Sequence, residues 1–248
     1  MFYNRLQKKL SDLVVAKQLS DKEIIIKTHV LKPVEAIGNP DRDDFPLLKG
    51  KEVLMEAAFE NAKGQAYTDA PSEFTGPLKN IISLDLDDLR AKALFIASLN
   101  AVMRYLYPEL TTIHCKDNDP EECAEKIIDS LKIAKPDKVG LIGMQPAILE
   151  ALVNFLGADS VSCVDRDEDN MGKSKFGVPV EWGDSADTEK LFRQNDLILA
   201  TGSTVVNGSI MEILNLSEKY NKKLLFFGTT IAGTARLMNL ERFCFKST

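Results

Sequence analysis

Apolar residues at Phe2, Leu6, Leu10, Leu13 and Val14 recur at helical spacing and predict an amphipathic helix over residues 2–19. The run Ile24-Ile25-Ile26 predicts a strand within Glu23–Leu31. Residues 38–46 are rich in Gly, Asn, Pro and Asp and read as a loop. Two patterns compete over residues 51–68: Val53, Met55, Ala57 and Phe59 alternate as in a strand, while residues 52–63 also fit a helix. Gly76-Pro77 punctuates the chain. Leu89, Ala93, Ile96, Leu99, Ala101, Met103 and Leu106 then give a broad apolar surface to a helix from about Asp87 to Tyr107, which Pro108 ends. This helix closes a first domain, residues 1–108.

Beyond it, residues 109–248 alternate between short apolar runs and helical patterns. Asp119-Pro120-Glu121-Glu122 marks a helix start, with Asp119 as N-cap, Pro120 at the first helical position and Glu122 three residues after the cap. That helix runs to about Ala134. Strands follow at Lys138–Gly143, Ser160–Asp165, Asp196–Thr201 and Lys223–Gly228. Helices follow at Pro146–Leu156, terminated by Gly157, at Thr188–Arg193 and at about Val205–Lys219. Such alternation predicts an α/β fold: a parallel sheet with helices on both faces, and ligands outside the carboxyl ends of its strands.

Composition narrows the function. The 248 residues carry a net charge of −6, without a block of Lys and Arg, so nucleic acid is not the expected partner. The N-terminal residues lack a signal-peptide core, and the apolar stretch Ala93–Tyr107 is interrupted by Asn100 and Arg104. A cytoplasmic protein that does not span a membrane is expected, and base rates favour a homodimer. The four cysteines, Cys115, Cys123, Cys163 and Cys244, form no C-x-x-C pair and read as reduced thiols.

The most informative segment is Thr201-Gly202-Ser203-Thr204-Val205-Val206-Asn207-Gly208-Ser209. Small and hydroxyl residues between a buried strand and a buried helix offer backbone N–H groups, hydroxyls and a helix N-terminus, which suit an anionic guest. Thr201, Gly202, Ser203, Thr204 and Asn207 are therefore candidate ligand contacts, with Ser203 or Thr204 alternatively acting as simple N-caps. Gly228-Thr229-Thr230-Ile231-Ala232-Gly233 repeats the arrangement after the next strand and brings Thr229 toward the same pocket. Gln145 lies in the turn Gly143-Met144-Gln145-Pro146, and Asp165 comes 22 residues after Gly143. An acid about 20 residues on is the ribose ligand of a dinucleotide-binding unit, but the third glycine of that fingerprint is absent. NAD is weakly supported, and a methyl-donor nucleotide, which needs a less strict loop, stays open.

His114-Cys115, with Cys123 eight residues on, is the one cluster of soft ligands, and a transition or heavy metal is the cofactor it suits. Cys123 also shares a helix face with Ile127 and Leu131, as a small core thiol does, although a first-turn position favours its thiolate. Cys163, Cys244 and His29 read as structural. The loop Asp41-Arg42-Asp43-Asp44 suits either a hard cation or, the favoured reading, a solvated turn. With only His29 and His114 in the chain, and neither near a marked serine in sequence, no nucleophile–base pair is visible and no catalytic residue is assigned.

The Gly-Ser-Thr-x-x-Asn-Gly part of the Thr201 turn, together with Gly228-Thr229-Thr230, Gly143-Met144-Gln145-Pro146, Asp165 and Ser98-Leu99-Asn100-Ala101, resembles a two-domain family described as heavy-metal chelation proteins. The resemblance implies an enolase-N-terminal-like α+β domain followed by a Rossmann-like domain. It implies a site between them that binds or processes a heavy metal or an anionic metal-chelating compound. The rival expectation is an enzyme using a nucleotide-like cofactor, either S-adenosylmethionine-type or NAD, with Asp165 on the ribose and Gln145 lining the pocket. A third is an interaction module without a small ligand. Fold alone does not choose among these.

Overall fold

A computed structural model describes residues 2–27, 37–45, 48 and 53–248. His29, Pro46 and the far part of the first predicted strand lie outside the described residues, as do Lys51 and Glu52.

The N-terminal helix α1 (Phe2–Ala16) buries Tyr3, Leu6, Leu10 and Val14 on one face, which is the predicted stripe with a shorter C-terminal end. Strand β1 (Glu23–Lys27) is central in an antiparallel sheet with β2 (Val53–Phe59), β3 (Ala62–Thr68) and β4 (Phe74–Pro77), in the order β3-β2-β1-β4. The ambiguous segment is thus a hairpin. Register pairs Ala57 with Gly64 and Phe59 with Ala62, and the alternating burial of Leu54, Ala57 and Phe59 wins over the helical reading. A short helix α2 (Leu78–Ile82) leads to α3 (Leu89–Leu106), where Asp88 caps the N-terminus by accepting from the Ala91 N–H at 3.0 Å.

Helix α3 is buried from Phe95 through Met103 without a polar face, because it is covered on both sides. One side lies against β2 and β3 so closely that a Cβ built on Gly64 would sit 2.1 Å from the Ala101 nitrogen and 2.6 Å from the Ala97 oxygen. Only glycine permits that approach. The other side meets the C-terminal half of the chain, so one apolar cluster is shared by both halves.

That half begins with α4 (Asp119–Ala134), followed by β5 (Val139–Ile142), α5 (Pro146–Leu156), β6 (Val161–Asp165), the hairpin β7 (Ser174–Lys175) and β8 (Val178–Trp182), and α6 (Ser185–Gln194). It continues through β9 (Leu197–Thr201), α7 (Thr204–Asn207), α8 (Ile210–Tyr220), β10 (Lys223–Phe227), α9 (Ala232–Met238) and β11 (Arg242–Phe243). Sheet order is β11-β10-β9-β5-β6-β8-β7, parallel except for the β7–β8 pair. The fold is α/β, with an antiparallel sheet unit and a mostly parallel one.

Three local expectations are corrected. The antiparallel β7–β8 hairpin interrupts the all-parallel sheet; its residues lie between strand signals and carry no helical period. The α4 cap is Asn118 rather than Asp119, whose carboxylate accepts from the Lys116 N–H at 3.2 Å instead. The helix expected over 205–219 is broken into α7 and α8 at Gly208, whose φ of +88° no helical residue adopts.

The order of strands carries a functional consequence. The chain builds outward from β5 through β6 and β8, then crosses back to lay β9 on the other side of β5. The carboxyl ends of β5 and β9 therefore flank a topological switch point, the place where loops diverge to opposite faces and leave a crevice.

Candidate functional site

A cavity of about 580 Å³ opens at this switch point. Its floor is made by the loops after β5, β6, β9 and β10, and its roof by Tyr67, Thr68 and Asp69 at the end of β3. The roof is fixed by Asn100, fully buried on α3. Its side-chain amide donates to the carbonyls of Gln65 (2.8 Å) and Thr230 (2.9 Å) and accepts from the Gly233 N–H at 2.7 Å. The Thr230 hydroxyl accepts from the Tyr67 N–H at 3.0 Å and completes the clasp between β3 and the β10 loop.

All ten residues singled out from sequence line this one cavity: Gln145, Asp165, Thr201, Gly202, Ser203, Thr204, Asn207, Thr229, His114 and Cys115. What their atoms do there differs in part from expectation. The Thr201 corner is not a cradle of open amides. Gly202 donates its N–H to Phe227 O at 2.8 Å, and the N–H groups of Val205, Val206 and Asn207 are engaged inside the turn. Thr204, 1% exposed, turns its hydroxyl back to Thr201 O at 2.8 Å. Asn207 uses its carbonyl oxygen to hold the N–H and hydroxyl of Ser209 at the start of α8. Helix α7 is four residues long and carries no useful dipole. Hydroxyls remain at the wall: Thr201 and Ser203, 3.4 Å apart, and Thr229, 1% exposed and without a hydrogen-bond partner for its Oγ1 among the described residues.

The acid expected to hold a ribose is also engaged. Asp165 accepts from the Met144 N–H at 2.5 Å through one oxygen and from the Asp167 N–H at 2.6 Å through the other. Gln145 caps α5 by accepting from the Ile148 N–H at 2.6 Å. Both residues order the loops of the crevice.

The electrostatics of the wall oppose an anion. Among the described residues, Asp69, Asp165, Asp167, Glu168 and Glu212 line the cavity against a single Arg or Lys, Arg166, whose Nε donates to Gly183 O at 2.8 Å. Carboxylates on low-dielectric walls concentrate cations.

The same cavity is also lined by thiols. The segment after α3 runs beside β3, where Gln65 N–H donates to Thr112 O at 3.1 Å and Gln65 Oε1 accepts from the His114 N–H at 2.7 Å. The chain terminus pairs with the same segment through Thr248 and Ile113. These two fastenings carry His114 and Cys115 from one side, and Cys244 from the other, to the first turn of α4 with Cys123, and all four residues line the cavity. The His114 ring packs edge-on against Tyr67, centroids 5.5 Å apart. Lys246 pairs with Asp119 and Glu122, which holds the segment carrying Cys244 against the first turn of α4. The neighbouring Cys244 thiol and burial push Cys123 up, while Cys123 and the Arg242 guanidinium hold Cys244 below the usual thiol range. The lowering expected at Cys123 from its helix position is thus not found there. Burial pushes Cys115 up to about 12.

Cys244 was invisible as a site residue in the sequence, since no spacing ties position 244 to 115 or 123. Cys163 is buried in β6, its thiol pushed up by burial, in keeping with a structural role. The 41–44 loop is closed on itself: Arg42 pairs with Asp44 (2.7 Å) and Glu150 (2.8 Å), and Asp41 accepts from Asn118 at 2.7 Å. Among the described residues no three His, Cys, Asp or Glu side chains converge on a point that would hold a metal ion. No helix among them is long and apolar enough to cross a membrane.

Residues 126–236 match the DUF364 family. Its description reads "Putative heavy-metal chelation". The matched span covers the strand-end loops after β5, β6, β9 and β10. A DUF364 protein of unknown function from Pyrococcus horikoshii superposes with a TM-score of 0.58 at 16% identity, over 93% of this chain and 80% of that one. Another from Desulfitobacterium hafniense gives 0.52 at 14% identity, over 75% of this chain and 71% of its own. At such identities the likeness is one of fold. No curated protein matches the chain significantly.

Proposed function

We propose that the protein binds a heavy-metal ion, or a small cationic compound carrying one, in the cavity between the β3 end and the β5–β9 switch point. The observation that carries this reading is the pairing of two sets of residues. Soft donors from three separate segments (His114 and Cys115, Cys123, Cys244) line the same cavity as a set of carboxylates. Thiolate and imidazole prefer thiophilic transition metals, and the carboxylates add a field that draws a cation in. The family description fits the same chemistry. The Thr201, Ser203, Asn207 and Thr229 side chains then serve as polar contacts for a metal's organic or hydroxyl ligands rather than as an anion cradle.

The test is metal uptake. Reduced, metal-stripped protein is exposed anaerobically to Cd(II), Hg(II), Cu(I) and Ag(I), desalted and analysed for bound metal. Retention of at least one of these ions near one per chain is expected, with weaker retention in an Asp69→Asn, Glu212→Gln double variant. A chain that emerges free of every one of them overturns the reading.

A further inference from the structure

We propose that the sulfurs of Cys123 and Cys244 form a two-thiolate seat for a soft cation that accepts two ligands, namely Cu(I), Ag(I) or Hg(II). The inference rests on the cavity being a metal pocket and goes further by naming the donors and the coordination number.

Four observations converge on the pair. Cys123 lies in the first turn of α4 and Cys244 just past β11, the pairing of Lys246 with Asp119 and Glu122 holds these two segments together, and both thiols line the cavity. Two neighbouring sulfurs can bind opposite sides of one ion. Secondly, no third His, Cys, Asp or Glu joins them around a common point among the described residues. A structural zinc ion asks for four ligands in a tetrahedron, whereas monovalent d10 ions and Hg(II) are satisfied by two thiolates. Thirdly, Ile37, Phe45 and Phe243 line the same cavity and give part of it an apolar wall, which disfavours the water that harder ions retain. Fourthly, the positive charge of Arg242 lies close enough to Cys244 to offset the negative charge of a bis-thiolate complex. Cys115 interacts with both sulfurs electrostatically and stands behind them as an adjacent thiol.

The binding step is redox-neutral. Two sulfur–metal bonds form, the S–H bonds of Cys123 and Cys244 break, and their protons leave to solvent; the oxidation state of the ion does not change. Silver, which stays monovalent in air, is the probe of choice.

The experiment titrates reduced protein with Ag(I) against a competing thiol ligand and follows the ultraviolet absorption of silver–thiolate bonds. One ion per chain is expected. Cys123→Ser and Cys244→Ser each weaken binding by at least about tenfold, a scale that even outer-shell changes reach at metal sites. Cys163→Ala, in β6, does not change it. Zn(II) binds at least about tenfold more weakly than Ag(I), for want of further ligands. Circular dichroism establishes that the variants fold. In the unmutated protein, alkylation mapped by mass spectrometry offers a second readout, with bound Ag(I) protecting both Cys123 and Cys244. Labelling of the two at the same rate with and without Ag(I), or Zn(II) held as tightly as Ag(I), overturns the seat. Cysteine variants that bind as the unmodified chain does, while Asp69→Asn, Glu212→Gln weakens uptake, overturn the seat and leave the metal pocket standing. A chain that takes up no thiophilic ion overturns both.

Discussion

Asn100 shows how much a single side chain decides. It lies in the middle of α3 with no exposed surface, and its amide ties together Gln65 on β3 and Thr230 and Gly233 beyond β10. Asn100→Ala removes those bonds and strands buried backbone groups of three segments, each costing about 1–3 kcal/mol when left unpaired. The expected loss is about 3 kcal/mol in urea denaturation, with the cavity roof loosened as well. Asn100→Asp is expected to fail equally, since a carboxylate cannot donate to the two carbonyls. Gly64 makes the complementary case, where the absence of a side chain matters. A Cβ there meets backbone of α3 rather than a yielding side chain, so Gly64→Ala is expected to cost about 3 kcal/mol, the upper end for overpacking. A melting temperature within a degree of the parent would contradict that close contact.

At the scale of elements, α6 and α8 are fastened on their outer flank by one carboxylate. Glu189 accepts from Lys219 Nζ at 2.7 Å, from the Tyr220 hydroxyl and from Arg193 at 3.1 Å. These partners, Lys219 foremost, lower its pKa from 4.5 to about 2. A depressed carboxylate contributes stability that is complete above its unfolded value and fades as pH falls through the folded one. The fastening is therefore expected to hold above pH 4.5 and to be lost between there and about pH 2. Glu189→Gln should flatten the acid side of a melting-temperature profile over that window while changing little at neutral pH. Added salt should shrink the difference, because the group sits on the surface. The elements also show which signals read well in sequence. The α1 stripe, the apolar length of α3, the Pro146 start and Gly157 stop of α5, and the central parallel strands follow from local periodicity and punctuation. The break at Gly208 was written in the chain as a glycine, but the hydrophobic pattern runs across it, so only the backbone conformation reveals it.

At the scale of the whole molecule, the antiparallel unit closes over the carboxyl ends of the parallel sheet, and the cavity exists because of that closure. A bound ion links both halves, so it should stabilise them together. With free metal at about a hundred times its dissociation constant, the gain is about 2.7 kcal/mol, read as a rise in melting temperature of one cooperative transition. Two separate transitions, only one of them responding to metal, would show that the halves do not share the ligand. The strand-end positions Gln145, Asp165, Thr201 to Asn207 and Thr229 were legible because α/β sheets put ligands at strand ends, and each position follows a strand in the chain. The direction of their hydrogen bonds was not legible. Whether the Gly202 amide faces a guest or Phe227 O depends on where β10 lies.

The chain by itself determined the periodicities, the alternation of strand and helix, the strand-end loops and the presence of soft donors at His114 and Cys115, because each is a property of neighbouring residues. Tertiary structure alone decided that Cys244 and Cys123 line one cavity, that five carboxylates among the described residues line it too and that the amides of the Thr201 corner turn inward. The first of these depends on segments more than a hundred residues apart being fastened side by side, by Lys246 with Glu122 and by the pairing of Thr248 with Ile113. No local pattern encodes such a distance.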